Sequence, residues 1–112
     1  MITQSYADFA WEKTAQLLAI DSPSGFTEQA AKWVFNEFRL LGFNASFTAK
    51  GGVLVDLGGT NSQDGLFLEA HADTLGGMVS QIKGSGCLKI TNLGGMNANN
   101  AEAENVRIYT RD

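Results

Sequence analysis

Hydrophobic positions change period twice along this chain. Over the first twenty residues the spacing is helical: Ala7, Trp11, Thr14 and Leu18 fall on one line, widened by Ala10 and Leu17, with Asp8, Glu12 and Lys13 mostly beside it. A period of 3.6 predicts an amphipathic helix over 5–20. Ser5 is its expected N-cap, with Asp8 three residues on. Asp21-Ser22-Pro23-Ser24-Gly25 then turns the chain, because proline cannot continue a helix and glycine relieves the backbone. A second helix is expected from Thr27, with Ala30, Ala31, Val34, Phe35, Phe38 and Leu41 on one broad face. Glu28 suits its first turn, Arg39 its last, and Gly42 the position just past its end.

After Gly42 the period drops to two. Phe43, Ala45, Phe47 and Ala49 alternate with polar residues, and Val53, Val55 and Leu57 repeat the alternation beyond a Lys50-Gly51-Gly52 turn. This reads as a hairpin at a sheet edge. Leu66 to Ala70, interrupted by Glu69, is a short apolar run of the kind found in central strands covered on both faces. Gly76-Gly77 reads as a turn. Met78, Val79 and Ile82 begin another strand, Lys83-Gly84-Ser85-Gly86 reverses it, and Cys87, Leu88 and Ile90 return. Asn92 to Asn97 reads as loop, and 105–110 as a further strand. A lone strand is a poor place for a domain to stop, so a longer parent protein is expected.

Composition narrows the class. The chain has 112 residues, 44% hydrophobic and 18% charged, which suits a folded domain rather than a disordered one. With a net charge of -4 and no Lys/Arg block, nucleic acid is not an expected partner. No apolar run is long enough for a membrane helix, and the N-terminus lacks the basic start and apolar core of a signal peptide. A single cysteine excludes an internal disulfide, and a cytoplasmic location is expected. Cys87 is read as a buried, inert thiol rather than a nucleophile. Trp11 and Trp33 are read as core rather than ligand-stacking groups. Ser22, Ser24 and Ser85 have no motif that would activate them. The glycine pairs lack the spacing of a phosphate-binding loop.

The candidate chemistry lies in Ala70-His71-Ala72-Asp73, which follows the apolar run and holds the chain's one histidine. Neutral imidazole binds zinc, manganese and cobalt, and a ligand histidine commonly donates its other N–H to a carboxylate. His71 is therefore a candidate metal ligand and Asp73 the carboxylate that orients it. H-x-D alone is a weak pattern, and a lone histidine is more often a surface or hydrogen-bonded group.

Three segments, with a short fourth beside them, resemble one family. Ile20 to Glu28 resembles a Ser-Gly-Phe/Tyr-Glu turn before a helix. Gly51-Gly52-Val53-Leu54 is similar to a Gly-Asn lead into a strand. Ala70 to Val79 resembles His-x-Asp-Glu-Ile-Gly-Phe, with Thr74 and Gly77 departing from it, and Leu93-Gly94-Gly95 resembles a following glycine pair. The family is the metallo-aminopeptidases that include tetrahedral, glutamyl and deblocking aminopeptidases.

The resemblance implies an α/β fold: the N-terminal part of a zinc-peptidase (phosphorylase/hydrolase-like) mixed-sheet catalytic domain over 1–98, with 99–112 entering an inserted β-rich assembly domain. It implies His71 as the first metal ligand and Asp73 as the catalytic carboxylate behind it. Two divalent ions complete such a site, zinc first, with cobalt or manganese also suited. The remaining ligands and a general-base glutamate are expected beyond residue 112, since Glu102, Glu104 and Asp112 do not match them in context. The implied reaction is hydrolysis of N-terminal residues from peptides by metal-activated water, in a parent that is a homo-oligomer. This segment alone is expected to be inactive. Two other readings stand beside it: a non-catalytic α/β interaction domain, and another H-x-D zinc peptidase such as a carboxypeptidase.

Overall fold

A computed structural model of the chain describes residues 3–61 and 63–111. Its elements are α1 (Gln4–Leu18), α2 (Glu28–Leu40), β1 (Asn44–Phe47), β2 (Val53–Asp56), β3 (Gly76–Ile82) and β4 (Leu88–Leu93), then a single 3-10 turn at Ala98–Asn100. They form two compact units, residues 1–74 and 75–112. The architecture is mixed α/β with antiparallel hairpins. Among the described residues no helix is long and apolar enough to cross a membrane.

In the first unit, α2 carries the packing. Ala30 and Ala31 are buried on its inner face, and Ala45 of β1 is buried as well. Small side chains let backbones approach closely. Phe35 of α2 stacks on Phe47 of β1, with ring centroids 4.7 Å apart. Phe38 meets Phe43 edge-on at 6.2 Å. Such contacts add to the burial of apolar area. β1 and β2 pair antiparallel, with Ala45 opposite Val55 and Phe47 opposite Val53. At the other end of α2, Gly42 adopts φ +89°, the left-handed conformation that ends the helix.

The first helix differs from the expectation in detail. Its N-cap is Thr3 rather than Ser5, and the Thr3 and Ser5 hydroxyls hydrogen-bond to each other at 2.8 Å. The expected line through Trp11 and Leu18 is not the packed face, since Trp11 is 78% exposed. The helix docks on the side of Lys13 and Leu17. Lys13 Nζ reaches Glu37 Oε2 of α2 at 2.7 Å and lies over the Phe9 and Trp33 rings. That ion pair and its two aromatic neighbours orient the helix, and Trp11 faces away from them.

The run over 66–70 does not form a strand. Leu66, Phe67 and Leu68 are well exposed, and their backbone joins no ladder among the described residues. A central strand needs hydrogen-bonding neighbours on both edges, and the described sheets are two separate two-stranded hairpins. For the same reason β1 and β2 are a sheet by themselves rather than the edge of a larger one.

In the second unit, β3 and β4 pair antiparallel, with one extra residue, Ser80, between Val79 and Gln81. The Ser80 hydroxyl donates to the Lys89 carbonyl at 3.1 Å across this bulge. The turn at 83–87 forms as expected, closed by Lys83 N–H to Cys87 O and Gly86 N–H to Lys83 O, both at 2.9 Å. Four expectations fail here. Gly76 and Gly77 begin β3 instead of turning, Asn92 and Leu93 extend β4, Cys87 is exposed, and 105–110 is not a strand. Gly77 pairs with Asn92 in the ladder, at a position where a Cβ would collide with Ile90 Cγ2 on the neighbouring strand.

Candidate functional site

The site is assembled from two loops almost fifty residues apart in sequence, both in the first unit. The first is the turn at 22–25. Phe26 N–H donates to Pro23 O at 2.8 Å, and Gly25 takes φ +86°, a conformation glycine adopts without strain. The second is the segment 71–74. The buried Ser22 ties the two together: its hydroxyl donates to Ala72 O at 2.8 Å, and its carbonyl accepts from Thr74 N–H at 2.9 Å. Pro23 and Thr74 thereby form a single parallel bridge.

Ser24 adds a contact of a different kind. Its hydroxyl donates to Asp73 Oδ2 at 2.6 Å. The other carboxylate oxygen, Oδ1, lies 3.0 Å from His71 Nδ1, and the Asp73 carbonyl is also 3.0 Å from that nitrogen. The Ser24 hydroxyl is the chief reason the Asp73 carboxyl is held below its ordinary range; partial burial opposes it, and His71 helps. Asp73 is thus an acceptor-only carboxylate near neutral pH. Both groups facing Nδ1 accept hydrogen bonds, so Nδ1 carries the proton. In the neutral imidazole the lone pair is then on Nε2.

This geometry brings together the two residues singled out in the sequence. His71 is 85% exposed at its side chain, so Nε2 is accessible to a ligand, while Asp73 at 43% sits behind it. An N–H anchored by a carboxylate, with a free imidazole nitrogen opposite, suits a divalent transition ion. It is one donor of the several such an ion takes. Among the described residues no group of three or more His, Cys, Asp or Glu could hold a metal. Glu102 and Glu104 lie in the second unit and are exposed, and Asp112 is outside the described residues. An apolar-walled groove of about 850 Å³, lined by Val34, Phe38, Val55 and Leu68 among others, runs past His71 and Asp73.

A family model described as M42 glutamyl aminopeptidase matches residues 51–112, the half of the chain that includes the His71-Ala72-Asp73 element. The chain belongs to the M42 glutamyl aminopeptidase family. It is 34% identical over 99 residues to the protein named "Putative aminopeptidase YhfE" of Bacillus subtilis (strain 168), covering 88% of this chain and 29% of that one. It is 28% identical over 102 residues to the glutamyl aminopeptidase of Lactococcus lactis subsp. cremoris (strain MG1363), covering 90% of this chain and 29% of that one. The chain therefore spans less than a third of the length of these relatives.

Reasoning from sequence missed Ser22 and Ser24. No motif marks either as functional, yet their hydroxyls donate to Ala72 O and Asp73 Oδ2. They hold the His-x-Asp segment. The Ser-Pro-Ser-Gly turn was visible as a turn, but no local signal tells that its hydroxyls reach residues 72 and 73.

Proposed function

We propose that the parent protein is a metal-dependent aminopeptidase that removes N-terminal residues from peptides. His71 serves as a metal ligand through Nε2, and Asp73 orients it. One observation carries the reading: in a member of this family, the single His-x-Asp element holds its histidine by Nδ1 and leaves Nε2 accessible. Two divalent ions, zinc before cobalt or manganese, would supply Lewis acidity at the scissile carbonyl and acidify a water molecule. This chain's part is narrower. His71 offers one neutral nitrogen donor, Asp73 keeps the proton on the opposite ring nitrogen, and the 22–25 turn keeps both in place. Further ligands and the general base belong to the remainder of the parent, so the 112-residue chain alone is inactive. We also propose that residues 1–98 are part of the catalytic domain and that 99–112 lead into an inserted assembly domain. For the parent we further propose a cytoplasmic location, from this chain's cysteine usage, and a homo-oligomeric assembly, from the family it belongs to.

The test is metal content and hydrolysis of short peptides by the full-length parent, with and without His71→Ala. The expected result is about two metal ions per subunit, release of free N-terminal residues, and loss of at least one ion with most activity in the variant. Release of C-terminal residues would assign a carboxypeptidase instead. A parent that binds no metal and cleaves nothing would leave a non-catalytic interaction domain.

A further inference from the structure

The Ser24 contact has no role in its own turn. The turn is closed by Phe26 N–H on Pro23 O, and the following helix starts at Thr27, whose carbonyl accepts from Ala31 N–H at 2.9 Å. The backbone of 72–74 is already held by both bonds from Ser22. The Ser24 hydroxyl reaches past these to the one carboxylate oxygen of Asp73 that His71 does not use. A carboxylate turns about its terminal torsion in a broad, roughly two-fold well, so one hydrogen bond does not fix its plane. Two partners on opposite oxygens do.

We propose that Ser24 is a positioning residue for His71: by holding Asp73 Oδ2, it aims Oδ1 at Nδ1 and so keeps the imidazole in the tautomer whose lone pair is on Nε2. This rests on the reading of His71 as a ligand for its purpose, but its geometry stands without a metal. Without the hydroxyl, Asp73 rotates and the ring loses its fixed acceptor. The Nδ1 proton then redistributes to Nε2, the nitrogen that must be bare to bind an ion. The Asp73 carbonyl stays within reach of Nδ1, so the change is a redistribution between tautomers rather than a full inversion.

The experiment is ¹⁵N NMR of the imidazole at a pH where it is neutral, in the full 112-residue chain, whose single histidine makes the signal unambiguous. Wild type is expected to show Nδ1 protonated and Nε2 bare. Ser24→Ala is expected to shift both nitrogens toward each other, as the two tautomers mix, and Ser24→Thr, which keeps the hydroxyl, to restore the wild-type pattern. If Ser24→Ala loses its folded amide spectrum, the comparison passes to Ser24→Thr against Ser24→Val, near-equal in shape and differing in the hydroxyl. Wild-type nitrogen shifts in Ser24→Ala or Ser24→Val would overturn the proposal, as would an Nε2-protonated ring in wild type. Peptide hydrolysis enters none of these outcomes, so failure of the aminopeptidase reading and failure of this one are read separately.

Discussion

The two hairpins of this chain are both antiparallel pairs rich in apolar residues, and they end in different environments. β1–β2 has α2 packed on one face, with Ala45 buried and Phe47 stacked on Phe35. β3–β4 is longer and has more registered pairs, yet Met78, Ile82 and Ile90 are mostly exposed. Alternation of apolar and polar residues is enough to pair two strands. It does not supply the layer that buries the apolar face. The first hairpin is followed back to its helix by a tight turn at Gly42. The second has no α-helix of its own among the described residues of its unit.

The largest test of this contrast is a charge placed in one strand of each hairpin. Ala45→Asp buries a carboxylate without a partner and is expected to destabilise the first unit by about 3–5 kcal/mol. Met78→Asp, at an exposed pair position, is expected to stay within about 1 kcal/mol. Amide hydrogen exchange in each hairpin measures both. Equal losses would mean that the second hairpin is covered in solution.

Gly77→Ala probes the second hairpin from inside. The added methyl meets Ile90 Cγ2, and the expected cost is about 1–3 kcal/mol. In an Ile90→Ala background that cost is expected to fall by more than half, a coupling that a double-mutant cycle reads directly. In the first hairpin, a cycle between Phe35→Ala and Phe47→Ala is expected to show about 0.5–1.5 kcal/mol of coupling from the ring stack, beyond lost area.

The smallest effect concerns the exposed end of α2. Lys32 Nζ lies 2.7 Å from Glu28 Oε1 and, by hydrogen bond and charge, holds the Glu28 carboxyl below its ordinary range. A lowered folded value means the stabilisation is complete above the unfolded carboxylate pKa. It is lost as pH falls through that value and then through the lower folded one. Helix content should therefore decline slightly more on acidification in wild type than in Lys32→Ala, and salt should reduce the difference.

Much of the local structure was legible. Thr27 and Gly42 do mark the ends of α2, with Arg39 in its last turn, although the Thr27 side chain makes no capping hydrogen bond. The β1–β2 pairing followed from period-two alternation about a glycine turn. His71 and Asp73 stood out because two residues of that chemistry are two positions apart, and their contact is local. Apart from the N-cap of α1, which is Thr3 rather than Ser5, the expectations that failed depended on a partner. The 66–70 run is strand-like in composition but has no ladder to join. Cys87 is apolar by type but lies at an open hairpin end, and Trp11 lies on a face of α1 that nothing described covers.

By itself, then, the sequence determined what each short segment prefers, and which imidazole and carboxylate meet across a two-residue step. Backbone sterics, capping and side-chain period act over a few residues and leave their mark in the order of residue types. Only the tertiary structure decided which face of α1 is packed, which hairpin is covered, and that Ser22 and Ser24 reach the His-x-Asp segment from about fifty positions away. Those outcomes depend on which surfaces find a neighbour, and a hydroxyl carries no sequence mark of the carboxylate it will meet.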